Sequence, residues 1–180
     1  MAAVLLISGG GTALLLVDAY TLHPWAGCVL EGWLTYRLLA ARNLRDASMR
    51  VHRALQSGSL EDSRYAVSMI VGRDTTVLDE TGVTKAAVET VAENTSDGVI
   101  APMLYMALGG PVLGMMYKAV NTMDSMVGYR NDKYMDFGRA AARLDDGVNF
   151  IPARISGLLM VAAAFLLGFS ERLRGSAPIY

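Results

Sequence analysis

Val99-Ile-Ala-Pro-Met-Leu-Tyr-Met-Ala-Leu-Gly-Gly-Pro-Val-Leu-Gly-Met-Met-Tyr-Lys-Ala-Val120 is long and apolar enough to cross a bilayer. Its centre, Leu108-Gly-Gly-Pro-Val-Leu-Gly114, is a poor place for a continuous helix, because two glycines cost backbone entropy and Pro111 removes a donor. Charged stretches rich in Lys and Arg flank it on both sides, and the positive-inside rule assigns both to the same face of a membrane. A single crossing cannot satisfy that. A re-entrant hairpin, or two half-helices meeting at residues 109–111, can. The alternative is the buried core helix of a charged domain.

Working outward, the 180-residue chain is 53% apolar and 18% charged, with mean hydropathy +0.33, which favours a membrane-associated helical protein. Residues 1–17, 22–41, 99–120 and 155–169 carry almost no charge, whereas 37–98 and 117–154 are dense in both signs. The net charge of −1 thus hides two mixed regions. Neither offers the one-signed basic surface of a nucleic-acid binder, so DNA and RNA are excluded as partners. Cys28 is the sole cysteine and reads as a small core hydrophobe rather than part of a disulfide framework. Residues 1–17 lack the basic start of a secretory signal and read as a spanning or buried helix at the short limit for crossing.

The link from Asp18 to Pro24 has no Lys or Arg, while Arg42, Arg45, Arg50 and Arg53 follow Ala41; the first link is expected outside and the second in the cytoplasm. Residues 43–56 fit an amphipathic helix, a second helix is expected from Leu60 to Val71, and a third from Thr81 or Val83 to a C-terminal Gly98. Pro102 and Pro152 are placed near helix starts. Glu31 interrupts an apolar run and is expected to be paired or functional, since a carboxylate at mid-membrane depth costs on the order of 3 kcal/mol. No period-2 pattern, repeat or low-complexity tract is present. The expected fold is all-α: an integral membrane helical protein with charged cytoplasmic helices and a Gly-Gly-Pro-broken apolar segment. Its single domain comprises membrane helices in 1–41, charged regions at 42–98 and 117–154, the broken segment 99–116 and a terminal apolar helix 155–170.

Chemistry is concentrated in three polar clusters. Lys85, Glu89, Glu93 and Asp97 recur every four residues and form one stripe on a helix. Neighbouring carboxylates there lie roughly 6 Å apart, a repulsion of about 3 kcal/mol at an effective dielectric of 20. A shared proton, the Lys85 ammonium or a divalent cation bringing a phosphate would relieve it; a solvated helix face is the plain alternative. The second cluster is Lys118, Asn121, Asp124 and Ser125, and the third is Arg143, Asp145, Asp146, Asn149 and Arg154. Each sets hard oxygen ligands beside an amide, and the last two add a cation, a combination suited to a magnesium-bound phosphate. Charges that pair among themselves in a cytoplasmic domain are the competing explanation. Ser8-Gly-Gly-Gly-Thr12 lacks a P-loop lysine, and His23 and His52 lack zinc spacing.

Four runs in order, Ile70-Val-Gly-Arg-Asp-Thr75, Ala87 to Gly98 with Glu-Asn-Thr-Ser-Asp-Gly at its end, Tyr117 to Tyr129, and Arg143-Leu-Asp-Asp146 with Pro152-Ala-Arg154, resemble the CobD/CbiB family of cobalamin-biosynthesis membrane proteins. The resemblance extends from about Trp33 to Leu159. It implies an adenosylcobinamide-phosphate synthase, which joins adenosylcobyric acid, a corrinoid carboxylate, to aminopropanol phosphate with ATP as cosubstrate and Mg²⁺ as cofactor. Such chemistry activates a carboxylate, most simply as an acyl phosphate, before an amine attacks. Roles follow from residue chemistry rather than from the motif match. Glu89, Glu93, Asp97 and Asp124 are the catalytic candidates, and Glu89, Glu93, Asp124, Asp145 and Asp146 the metal candidates. Arg73, Lys118 and Arg154 would neutralise phosphate charge, and Asn94, Asn121, Ser125 and Asn149 would orient the substrate. Implied partners are membrane lipid and, beyond the substrates, other cobalamin-biosynthesis proteins or a second copy of the chain; the implied location is the inner membrane. Family members are longer, with an N-terminal Asp-Pro and His-Pro region and a C-terminal Ser-Pro-Asn and Gly-Gly region not present here, so the chain looks like the central part of the family sequence. A non-catalytic corrinoid- or phosphate-binding module, or a diphosphate-processing membrane enzyme, are the alternatives.

Overall fold

The computed structural model describes residues 1–127 and 135–173, and among these residues there is no β-strand. The helices are α1 (Ala2–Leu22), α2 (Pro24–Leu38), α3 (Ala41–Ser57), α4 (Leu60–Ser68), α5 (Glu80–Thr95), α6 (Ala101–Val127) and α7 (Met135–Leu173), with a π-helical turn at Ser96–Ile100 between α5 and α6. Gly128 and Tyr129, which end one of the family-like runs, lie outside the described residues. Three helical stretches, Ala2–Leu22, Glu80–Met126 and Gly138–Gly168, are long and apolar enough to cross a membrane. The protein is an all-α membrane protein. Its outward apolar side chains, such as Leu6, Ile7, Leu14, Leu108, Leu158 and Phe165, are exposed as lipid-facing residues would be.

The broken segment folds back on itself. Gly109 leaves helical geometry and Gly110 takes φ 60°, ψ −161°, a conformation open in practice to glycine alone. In a straight helix Tyr105 and Tyr117 would be about 18 Å apart. Their rings instead stack with centroids 5.1 Å apart. Gly114 is small because Met106 of the opposite limb and Leu38 of α2 press against it. α6 is therefore a helical hairpin with its tip at Gly109–Pro111. The ends of its limbs, near Gly98 and Val120, lie together, as the charge pattern requires.

α1 and α2 frame this hairpin. Met1 and Leu5 pack beside Val120 and Met123, and Gly9 meets Met116, so α1 runs antiparallel to the second limb. The α1–α2 turn is tighter than expected. α1 continues through Asp18 to Leu22, and His23 alone makes the turn, its Nδ1 accepting from the Trp25 N–H. α2 returns past the tip, where Glu31 accepts a 2.6 Å hydrogen bond from Tyr20 Oη and approaches Gly110. Glu31 is thus paired at the tip, away from the polar clusters.

Two further expectations are corrected. Gly98 does not end a helix, and Pro152 lies within the continuous helix α7 rather than opening it, whereas Pro102, the second residue of α6, stands near a helix start as expected. A proline leaves the carbonyl four residues earlier without its helical donor. At Pro102 that carbonyl belongs to Gly98, which accepts the Ala40 N–H at 2.9 Å. The π turn also sends the Ala101 N–H to Ser96 O, leaving the Asp97 carbonyl to accept from Tyr117 Oη at 3.3 Å. At Pro152 the released carbonyl is Val148, which accepts from Tyr105 Oη at 2.9 Å. Each irregular turn becomes a junction between elements. Gly98 is glycine for a related reason: a Cβ there would sit 3.2 Å from that of Ala40.

α3, α4 and α5 form a small charged-side layer around Val51, Val67, Val83 and Ala86. α3 is amphipathic as expected, burying Val51 and exposing Arg42, Arg45, Arg50 and Arg53. α4 ends at Ser68, earlier than expected, and starts with a capping box between Ser59 and Asp62. α5 starts at Glu80, capped by Asp79. Residues 143–154 and 155–170 belong to one helix, α7.

Candidate functional site

The loop between α4 and α5 carries Arg73, and local hydrogen bonds fix its course. Arg64 Nε donates to Leu78 O at 2.6 Å and Thr75 Oγ1 to Arg64 O at 3.2 Å. Asp74 accepts from the Thr76 hydroxyl and N–H, bonds that hold its carboxyl below the usual carboxylate range. So anchored, the loop presents Arg73 to α5, where a guanidinium nitrogen lies 3.0 Å from Glu89. Lys85 reaches the other Glu89 oxygen at 3.9 Å. Both partners of each pair are half-exposed, so neither pair adds more than about 1 kcal/mol.

A cleft of about 590 Å³ opens between this loop, α5 and the second hairpin limb. Arg73, Glu89, Glu93, Asn94, Asp97, Asn121 and Ser125 all line it. Ile70, Val71, Gly72 and Thr90 complete the wall, residues whose side chains carried no chemical signal in sequence. The cleft is bipolar. Arg73 stands at the Glu89 end, and Asp97 lies two helical turns away, about 12 Å along the axis.

At the Asp97 end carboxylates converge. Asp97 is half-buried and feels the charges of Asp145, Glu93 and Asp124. Asp145 in turn feels Asp124 and Asp146, the last exposed on α7. Asn149, itself only 9% exposed, ties this end together, donating to Asp145 Oδ2 and accepting from Tyr117 Oη, each at 2.9 Å. These bonds hold the hairpin against α7. Tyr105 and Tyr117 were not singled out by the sequence reading, though their equal spacing from Pro111 marks them as facing pairs once a hairpin is assumed.

Not every candidate reaches the cleft. Lys118 lines a separate apolar groove with Val4, Met115, Ala119, Thr122, Met123 and Met126. Arg154 is engaged locally, donating to Phe150 O at 2.6 Å with its guanidinium 3.5 Å from the Phe150 ring centre. Asp124 does not line the cleft wall but is close enough to Asp97 and Asp145 to act on them electrostatically.

Among the described residues, no group of three or more His, Cys, Asp or Glu side chains is drawn together tightly enough to hold a metal ion unaided. The donor chemistry nonetheless fits Mg²⁺, which takes one or two carboxylates and completes its shell with phosphate oxygens and water. Among the described residues Asp145 Oδ1, which is buried, finds no hydrogen-bond partner, and such an ion would satisfy it.

The family model described as "CobD/Cbib protein" matches residues 1–177. The chain belongs to the CobD/CbiB family. That match is wider than the span from Trp33 to Leu159 expected from motifs. The chain is 52% identical over 155 residues to "Cobalamin biosynthesis protein CobD" of Photorhabdus laumondii, covering 85% of this chain and 49% of the relative. It is 56% identical over 154 residues to the protein of that name from Geobacter metallireducens, covering 86% and 48%. It is 46% identical over 170 residues to "Cobalamin biosynthesis protein CbiB" of Salmonella typhimurium, covering 89% and 53%. The chain spans about half the length of these CobD and CbiB relatives. No solved structure matches it.

Proposed function

We propose that the chain serves cobalamin biosynthesis and carries the amine-phosphate site of an ATP-dependent amide ligase, joining adenosylcobyric acid to aminopropanol phosphate. The observation that carries this reading is the bipolar cleft: Arg73 at one end, the Glu93 and Asp97 carboxylates towards the other, with Asn94, Asn121 and Ser125 also on its walls. An amino phosphate has the complementary polarity. Its phosphate would exchange with Glu89 for Arg73, and its ammonium would face Asp97.

An ammonium cannot attack a carbonyl until it loses a proton. Asp97, half-buried and crowded by like charges, is the group to take it. The freed amine forms the C–N bond as the acyl phosphate of the corrinoid propionate releases inorganic phosphate; ATP supplies that phosphoryl group and leaves as ADP. Mg²⁺, held by one or two of the carboxylates Glu93, Asp124, Asp145 and Asp146 and otherwise by phosphate oxygens and water, would supply positive charge to the transferring phosphoryl oxygens. Glu89, already shared between Arg73 and Lys85, serves better as their counter-ion than as a metal ligand. We assign the charged side of the bundle to the cytoplasm of the inner membrane, following its basic residues.

The test incubates the purified chain with ATP, Mg²⁺, adenosylcobyric acid and aminopropanol phosphate and follows the amide by mass. The expected result is product formation that needs all four. A folded chain that binds the amino phosphate and makes no product would reject the ligase reading. It would leave the second one, a binding module.

A further inference from the structure

Lys118 stands outside the cleft and has no role in the reaction above. It sits, half-buried, on the rim of a groove of about 460 Å³ whose other walls are Val4 of α1 and Met115, Ala119, Met123 and Met126 of α6. Among the described residues no carboxylate lies within salt-bridge distance of it. Thr122, one turn on, adds an exposed hydroxyl to the same rim.

The depth of the groove is informative. One wall is α1, a helix apolar enough to cross the membrane, at its end beside Met1 and Leu5. The other is the hairpin limb where it leaves the apolar region, level with Tyr117 and about two turns before Asp124. A half-buried ammonium with Met115 on its tip side and Met123 and Met126 on its charged side, between two lipid-exposed helices, is the complement of an anionic amphiphile.

We propose that this groove seats an anionic phospholipid, its headgroup phosphate on Lys118 and Thr122 and an acyl chain passing Val4 and Met115 towards the hairpin tip. Methionine suits the second task because its flexible, polarisable side chain adapts to a mobile hydrocarbon chain. The seat bridges α1 and α6, so an occupied groove clamps α1 to the hairpin.

The full chain, purified and placed in phosphatidylcholine nanodiscs with or without phosphatidylglycerol, tests this through thermal unfolding and native mass spectrometry of retained lipid. Phosphatidylglycerol is expected to raise the unfolding temperature by several degrees and to be retained as a discrete adduct. Lys118→Gln should weaken that retention about fivefold, Lys118→Arg should keep it, and Val4→Trp, which fills the groove and leaves the charge, should lose it. Circular dichroism shows whether each variant has kept its helices. Equal retention by the parent chain and Lys118→Gln would overturn the proposal. So would equal stabilisation by inorganic phosphate, which marks a free-anion site, or a change of oligomeric state in Val4→Trp without loss of lipid, which marks a contact between copies.

Discussion

At the scale of single residues, the cleft separates side chains that act on a ligand from those that hold others in place. Glu93 has no described ion-pair partner and lines the cleft midway between Arg73 and Asp97. Glu93→Gln keeps its size and removes its charge; helical content should stay constant while the Mg²⁺ concentration needed for half-maximal amide formation rises several-fold. Unchanged Mg²⁺ dependence would remove Glu93 from the metal side. Tyr117 is the opposite case, 2% exposed and bonded to Asn149 and to the Asp97 carbonyl. Tyr117→Phe leaves Asn149 Oδ1 buried without a donor and should cost about 1–2 kcal/mol in detergent unfolding. Lys118 marks the limit of residue-scale reading from sequence. At about 100° per residue it lies roughly 60° from Asn121 on one side and 40° from Thr122 on the other. Spacing therefore groups it with either face, and only the position of α1 decides. Arg154 was equally unreadable, because a ring one turn back competes for its guanidinium.

At the scale of elements, the hairpin was legible because Gly109, Gly110 and Pro111 conflict with a straight helix and the flanking charges forbid a single crossing. The π turn was not. Nothing in Ser96-Asp-Gly-Val-Ile100 announces it, and Gly98 read naturally as a helix end; what keeps the helix going is that Ala40 and Tyr117, distant in sequence, accept the task of satisfying its freed carbonyls. Gly110→Ala should cost about 1–3 kcal/mol, since a Cβ is disfavoured at that backbone geometry. Thermal unfolding should show it, while Gly10→Ala, inside α1 with open space around its Cβ position, should not destabilise and should add up to about 1 kcal/mol. α4 gives a pH prediction. Bonds from the Ser59 N–H and hydroxyl lower the pKa of Asp62. The folded value is below the unfolded one, so the cap stabilises above the ordinary carboxylate pKa and fades as pH falls through the lowered value. Ser59→Ala should speed amide exchange in α4 at pH 7, and as Asp62 is protonated its difference from the parent chain should shrink to the part contributed by the bond from the Asp62 N–H to Ser59 Oγ.

At the scale of the whole molecule, hydropathy and charge pattern were enough to identify a helical membrane protein, and the order of four motifs to suggest its family. Which motif residues share a cleft depended on long-range packing: residues 70–73, 89–97 and 121–125 meet because the hairpin returns the chain to its starting level. With Cys28 replaced by Ser, cysteines placed at Ser57 and at Ser125 should react with a membrane-impermeant maleimide from the same side, and one at Leu108 should not. Labelling of 57 and 125 from opposite sides would rule out the hairpin. Carbonate washing should leave the chain in the membrane, and detergent should release it.

The hairpin also sets an order of manufacture. A helix that crosses once can be committed to the bilayer as soon as it leaves the ribosome, but a limb whose tip must remain in the apolar layer has no stable resting place without its return limb. Residues 99–108 therefore gain their packing partner only once Tyr117 has been synthesised and can stack on Tyr105. Even then the pair is unlatched, because the side chain that locks Tyr117 belongs to Asn149 on α7. A stalled chain released before that point would carry nearly every cleft residue and still lack the cleft, so truncations ending between Val127 and Asn149 are the ones most exposed to quality-control proteolysis.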